Sequence, residues 1–183
     1  MKVSFLKKHK NAEKKKKGDE GEAALNTWLK DQNLSYVAIC QATETFSPLF
    51  KDDVKRPDFL LLFESIGLIA VDAKNYNYSG GVYTLNLKKE LNRSIAFERL
   101  IRIPLWYAYY DKNEKDGQDS WYWISALKAA EVGEHRVSKD KDTGEDVPFL
   151  AIKRNEFEHI VDASDLAKLY THRLPGVSKI ANL

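Results

Sequence analysis

Asp58, Asp72 and Lys74 are the residues whose types and spacing best suit a reaction. Asp72 and Lys74 lie two apart at the end of an apolar run, Leu68 to Val71, and Pro57-Asp58 leads a second run, Phe59 to Phe63. The runs flank Glu64-Ser65-Ile66-Gly67, and short apolar runs beside a glycine-bearing turn predict a β-hairpin of buried strands. Side chains alternate along a strand with period two, so Asp72 and Lys74 share a face. A hairpin centred near Ile66 puts Asp58 on that face too, opposite Lys74 and diagonal to Asp72 at roughly 7–8 Å between Cα atoms. Like charges so placed repel, and folding alone gives no reason to gather them. A divalent cation between Asp58 and Asp72 supplies one. Mg²⁺, or Mn²⁺ in its place, takes carboxylates together with waters and phosphate oxygens. The chemistry expected is therefore metal-assisted hydrolysis of a phosphodiester, with Lys74 beside the attacking water.

The same acid-x-lysine spacing occurs at Glu13–Lys15 and Asp53–Lys55, as a chain with 31% charged residues should show. Only Asp72–Lys74 closes an apolar strand whose neighbour opens with Pro-Asp. Without metal, repulsion between Asp58 and Asp72 should cost stability, so Asp72→Asn is expected to melt at or above the wild type in chelator.

The elements that must position this set follow from periodicity. Gly18 to Lys30 carries Ala24, Leu25, Trp28 and Leu29 at helical spacing with acids in its first turn, which predicts a first helix with Glu22 on the apolar side. Leu34 to Gln41 reads as a strand. The polar stretch Thr43 to Lys55 reads as a substrate-facing loop. After the hairpin, Asn75 to Gly81 forms a loop in which Tyr76 and Tyr78 either cover the sheet end or stack on bases, and Val82 to Leu87 alternates as a further strand. Lys88 to Ile103 is a basic helix ended by Pro104, whose Lys88, Lys89 and Arg93 could hold phosphates. A helix between Val82–Leu87 and the aromatic strand Leu105 to Tyr110 allows a crossover, so the sheet is expected to be mixed. Leu105 to Tyr110 and Trp121 to Leu127 read as core strands first and a dimer surface second. Val132 to Asp146 reads as a polar, mobile stretch. Phe149 to Ile152 is a short strand, and Asp162 to His172 a closing helix capped by Asp162 or Ser164.

A glycine followed after three residues by an inward glutamate (Gly18 to Glu22), a strand, Pro57-Asp58, Asp72-Ala73-Lys74 and a basic helix, in that order, resemble the PD-(D/E)XK nuclease superfamily over about residues 18 to 110. The layout is similar to archaeal-type Holliday junction resolvases and small nuclease-related domains, whose KG-x-x-x-E opening matches Lys17-Gly18 to Glu22. The resemblance implies an α/β fold of restriction-endonuclease-like type, a mixed β-sheet flanked by helices with an αβββαβ core. It also implies DNA as substrate, Asp58 and Asp72 as ligands of Mg²⁺ or Mn²⁺, Lys74 as the catalytic lysine, and Glu22 as a further ligand or orienting acid. The stretch from Thr43 to Lys55 is longer than in compact resolvases, and the chain from Lys128 onward follows no subfamily pattern.

Composition bounds the remainder. At 183 residues the chain suits one domain, 18–173, between a basic tail 1–17 and a C-terminal tail from 174 to 183. Formal net charge is only +2, yet Lys7, Lys8, Lys10 and Lys14, Lys15, Lys16, Lys17 crowd the first seventeen residues. That block reads as disordered by self-repulsion, serving either as a phosphate-binding arm or as a solubilising extension. The single Cys40 has no internal disulfide partner, and the four histidines show no zinc spacing. With no apolar stretch of about 18 residues, a cytoplasmic protein without a membrane span is expected. One site per chain and two strands to cut suggest a homodimer.

Overall fold

The hairpin forms as β2 (Phe59–Phe63) and β3 (Gly67–Lys74), antiparallel, with Phe59 opposite Val71 and Leu61 opposite Ile69. The computed structural model describes residues 2–42, 47–48, 50, 53–63, 67–75, 78, 80–111, 120–140 and 143–171, with backbone alone for 2–15 and 170–171. The expected turn centre, Tyr76 and the C-terminal tail lie outside the described residues. The register sits two residues from expectation, so one step beyond Phe59 places Asp58 beside Asp72 rather than Lys74. The Asp58 amide continues the ladder by donating to Val71 O at 2.9 Å. A two-residue slip preserves side-chain parity, so the three groups still share a face.

Four further strands, β1 (Tyr36–Ala38), β5 (Leu105–Asp111), β6 (Ser120–Ser125) and β9 (Glu158–Ile160), join the hairpin in a six-stranded central sheet of order β1-β2-β3-β5-β6-β9. The sheet is mixed because β3 and β5 run parallel, Asp72 opposite Tyr107 and Lys74 opposite Tyr109, while all its other pairs are antiparallel. Between β3 and β5 the chain makes β4 (Val82–Asn86), a π-helical turn (Leu87–Leu91) and α2 (Asn92–Ile101). In the central sheet a first helix, β1, β2, β3, α2 and β5 follow the order αβββαβ, and what needs correction is the placement of β4. That strand leaves the central sheet and joins β7 (Glu134–Lys139) and β8 (Asp146–Lys153) in a second sheet of order β4-β8-β7. Val132 to Asp146, expected as mobile, thus carries a regular strand following the short helix α3 (Ala126–Val132).

Two apolar layers hold these parts. On one face of the central sheet, α1 (Lys2–Asp31) buries Leu25, Leu29 and Trp28 against Val71, Trp106, Trp121 and Trp123. Each leucine so buried contributes about 1.5–3 kcal/mol. On the other face, Tyr107, Tyr109 and Ile124 pack against Tyr83, Leu85, Leu150 and Ile152 of the second sheet and Phe97 of α2. Trp121, Trp123, Tyr107 and Tyr109 are all 0% exposed, so these aromatics belong to the core, while Tyr110 and Tyr122 are half-buried. Tyr78 covers the sheet end, packed on Tyr83 with 5.2 Å between ring centres. The segment 2–17, expected as a disordered tail, continues α1, and Gly18 lies within that helix. The closing segment is a 3₁₀ turn, Ala163–Ala167, leading into α4 (Lys168–Thr171); Asp162 caps it by accepting from Ser164 N at 2.8 Å. No described helix is long and apolar enough to cross a membrane.

Candidate active site

Asp58 is fixed by backbone on both sides. Its carbonyl accepts from Ile39 N at 2.8 Å, its amide donates into β3, and its Oδ2 accepts from Ala73 N at 2.8 Å. Asp72 and Lys74 leave β3 on the same face, 2% and 6% exposed. Glu22 arrives from the other layer because α1 comes very close to the end of β3. A Cβ on Gly21 would stand 2.9 Å from Asn75 Cβ, so only glycine permits that approach, and Asn75 Nδ2 donates to Lys17 O at 2.9 Å across the same junction. The sequence held that signal in Gly21, next to Glu22.

Two charged groups that the sequence reading did not single out complete the centre. Lys55 Nζ lies 2.8 Å from Asp72 Oδ1 and 2.9 Å from Glu90 Oε2. Lys74 Nζ lies 2.6 Å from the same Glu90 Oε2 and pairs with Asp72 Oδ2. Two carboxylates and two ammonium groups therefore close a ring. Asp72 Oδ2 is thus met by the Lys74 ammonium, and Asp72 Oδ1 by that of Lys55. The ring of Tyr107 lies 5.6 Å from the Lys74 ammonium, and its hydroxyl donates to Ser94 Oγ of α2 at 2.7 Å.

Local structure explains why Glu90 turns inward while its neighbours do not. Asn86 Oδ1 accepts from Lys89 N at 2.7 Å and caps the π-helical turn, whose extra residue per turn sets Lys88 and Lys89 exposed at the cleft wall and Glu90 half-buried at its floor. Lys55 sits on a segment with no regular structure, held by buried Val54 and by its own amide donating to Arg93 O at 2.9 Å. Arg93 in turn donates from Nη2 to Phe50 O and Val54 O, both at 3.3 Å. Arg93 thus docks the loop that carries Lys55, and it is absent from the cleft lining.

These groups floor a cleft of about 990 Å³. Lys17, Arg56, Lys88 and Lys89 stand on its walls, and Asp140, Glu145 and Asp146 reach it from the β7–β8 hairpin. A polyanion would meet cations on one side and acids on the other. The side chains of Lys14 and Lys15 lie outside the described residues, and Lys16 is exposed.

Electrostatics separates the acids. Burial, then the charges of Asp72 and Glu22, push the Asp58 carboxyl well above its ordinary value, although Lys55 and Lys74 oppose the shift. Glu22 is raised by burial, Asp72 and Asp19. Burial would also raise Glu90, but Lys74 and Lys55 outweigh it and hold that carboxyl at about 2. Burial alone would lower the Lys55 ammonium, but Asp72 and Glu90 more than reverse it.

Whether a divalent cation suits this set can be judged from its charge and donors. Among the described residues, no three His, Cys, Asp or Glu side chains already stand together as a metal cage. Mg²⁺ needs only one or two carboxylates when waters and phosphate oxygens complete its shell, and Asp58 and Asp72 supply them as hard oxygen donors. With all four acids ionised, Glu22, Asp58, Asp72 and Glu90 stand against Lys55 and Lys74, which leaves two negative charges, enough to balance one divalent ion. In donor type and net charge the set is compatible with such an ion. No family model, curated protein or solved structure matches the chain, so its chemistry is read from these side chains alone.

Proposed function

We propose that the chain is a metal-dependent nuclease of PD-(D/E)XK type, with a restriction-endonuclease-like fold, that hydrolyses phosphodiester bonds in DNA. The observation that carries this reading is the convergence of Asp58, Asp72, Lys74 and Glu22, from a hairpin and the opposite helix, on one cleft that Lys17, Arg56, Lys88 and Lys89 also line. Asp58 and Asp72 would hold Mg²⁺ or Mn²⁺, with Glu22 as further ligand or orienting acid. Held there, such an ion would lower the pKa of a bound water and stabilise charge building on the phosphoryl oxygens. The carboxylates around Lys74 favour its charged form, so its part is that of a fixed positive charge and hydrogen-bond donor toward the attacking water or the phosphoryl oxygen rather than a base. Asp72 and Glu90 orient its ammonium from two sides. Metal-dependent cleavage of single-stranded, duplex or branched DNA, with RNA alongside, tests the proposal; no cleavage of any of them with Mg²⁺ or Mn²⁺ would sink it.

One observation favours a second reading, a nuclease-fold module that binds nucleic acid without cutting. The Asp72–Lys55–Glu90–Lys74 ring is already closed by ion pairs. Persistent binding to DNA with no cleavage under both metals would select it.

Lys17, Lys88 and Lys89 line the cleft and would neutralise phosphates, with Lys14, Lys15 and Lys16 extending the basic run. Replacing Lys88 and Lys89 by alanine should weaken binding alike on all sequences, and the slope of log affinity against log salt should fall by about 0.9 for each phosphate no longer neutralised on duplex DNA. An unchanged slope would return these lysines to solvation. Cutting both strands also calls for a two-fold dimer. With Trp121, Trp123, Tyr107 and Tyr109 buried, its interface would use another surface such as the closing segment, and light scattering that finds only monomer with and without DNA would remove it.

A further inference from the structure

Two ammonium groups serve the same two carboxylates at the floor of the cleft. Lys74 rises from the interior of a six-stranded sheet, whereas Lys55 rises from the irregular segment ahead of β2. The Lys55 ammonium stands between Asp72 Oδ1 and Glu90 Oε2 at 2.8 and 2.9 Å, where a cation of higher charge would be held by the same oxygens.

We propose that the Lys55 ammonium occupies the position of a divalent cation between Asp72 and Glu90, so that the metal enters by displacing Lys55 and takes Glu90 as a carboxylate partner beside Asp72. The inference rests on the nuclease reading for the identity of the cation, and adds a ligand and a gate to that site. Carboxylate oxygens approach Mg²⁺ to about 2.0–2.1 Å, closer than the nitrogen–oxygen distances here, so exchange lets both acids draw in around a doubly charged centre.

Of the two lysines, Lys55 is the one that can leave. Its flexible four-carbon stem stands on a loop bordering a cleft of about 990 Å³, while Lys74 is fixed by β3 and lies over Tyr107. Lys74 would keep its pairing with Asp72 Oδ2 and Glu90 Oε2 throughout. Once displaced, the Lys55 ammonium would remain in the cleft that Arg56 also lines, where a substrate phosphate would give it a new anion. Metal loading and phosphate binding then favour one another, and the metal-free protein keeps Asp72 and Glu90 neutralised.

The test uses Mn²⁺ alone, with the full chain freed of metal by chelator and binding followed by calorimetry and Mn²⁺ spin resonance. Lys55→Met should bind Mn²⁺ about tenfold more tightly than wild type, inside the roughly 5–150-fold range usual for coupled ligands, and Glu90→Gln about tenfold more weakly. A measurement on wild type guards against misfolded variants. An amine-acetylating reagent read by mass spectrometry should label Lys55 severalfold faster when Mn²⁺ saturates the protein, with Lys74 unchanged. Mn²⁺ binding that needs Asp72 but is indifferent to both Lys55 and Glu90, with no change in Lys55 labelling, overturns the displacement and leaves the nuclease reading standing. Absence of Mn²⁺ binding in wild type and both variants overturns both.

Discussion

Lys74→Ala is expected to retain less than about one-hundredth of wild-type cleavage, since removing one preorganised donor at a phosphoryl or acyl centre costs about 10²–10³ in rate. Single-turnover cleavage of end-labelled DNA with saturating Mg²⁺ is the measurement, because it isolates chemistry from product release. The sequence alone suggests that such a variant would fold normally. The tertiary structure corrects this. Lys74 is 6% exposed and bonded to both Asp72 and Glu90, and breaking a buried ion pair by removing one partner costs about 3–5 kcal/mol. Loss of activity must therefore be read at a temperature where circular dichroism finds the variant folded. A folded Lys74→Ala that cuts at the wild-type rate would take Lys74 out of the reaction.

The second large effect separates Asp58 from Asp72. Repulsion between them suggested that neutralising Asp72 would stabilise the metal-free protein, but Asp72 is held by Lys55 at 2.8 Å and by Lys74. Asp72→Asn should instead melt below wild type in chelator, by several kcal/mol of unfolding free energy on the scale of about 3–5 kcal/mol for a broken buried pair. The relief falls to Asp58, whose carboxylate accepts from a backbone amide where Asp72 has ammonium groups. Burial and the charges of Asp72 and Glu22 raise its pKa, so above that raised value it is ionised at a cost to the folded state. As pH falls through the raised value toward the ordinary 3.8, the folded state takes up the proton first and the cost disappears. Asp58→Asn should therefore melt above wild type in chelator at pH 7, with a gap that closes in acid. The amide oxygen of the substituted side chain can still accept from Ala73 N, so the hydrogen-bonding role survives.

Metal should reverse that order. A ligand bound only by the folded state adds RT ln(1 + [L]/Kd), about 2.7 kcal/mol at a hundredfold excess over Kd. Wild type should gain that from Mn²⁺, and Asp58→Asn and Asp72→Asn should gain little. Calorimetric melting of the three proteins with chelator and with Mn²⁺ reads every one of these effects. Equal gains in all three would mean that neither aspartate meets the ion.

The hairpin, the helix before it and the shared face of Asp58, Asp72 and Lys74 were legible in the sequence because each depends on short-range periodicity; the mixed sheet was legible from a helical crossover, although the parallel pair is β3–β5 and does not involve β4. Apolar runs of strand length and a period of two fix which side chains lie together, and parity survived even a register two residues from the expected one. The sequence also marked the cation-rich helical segment, which Lys88 and Lys89 open in the π-helical turn ahead of α2. It did not reveal Lys55 and Glu90. Asp53–Lys55 looked like one of several acid-x-lysine pairs, and Glu90 like part of a solvated charged run, because nothing local distinguishes an ion pair formed across 35 residues. Pairings at that separation are set by how elements pack: α1 against β3 through Gly21 and Asn75, α2 holding the Lys55 loop through Arg93, and a π-helical turn that re-aims one glutamate. Tertiary structure likewise assigned β4 to a second sheet, since alternation tells which face of a strand is buried but not which strand lies beside it. Residue types and period determined which groups could do chemistry; only packing decided which charges meet them, and so which acids carry an ammonium partner and which a backbone amide.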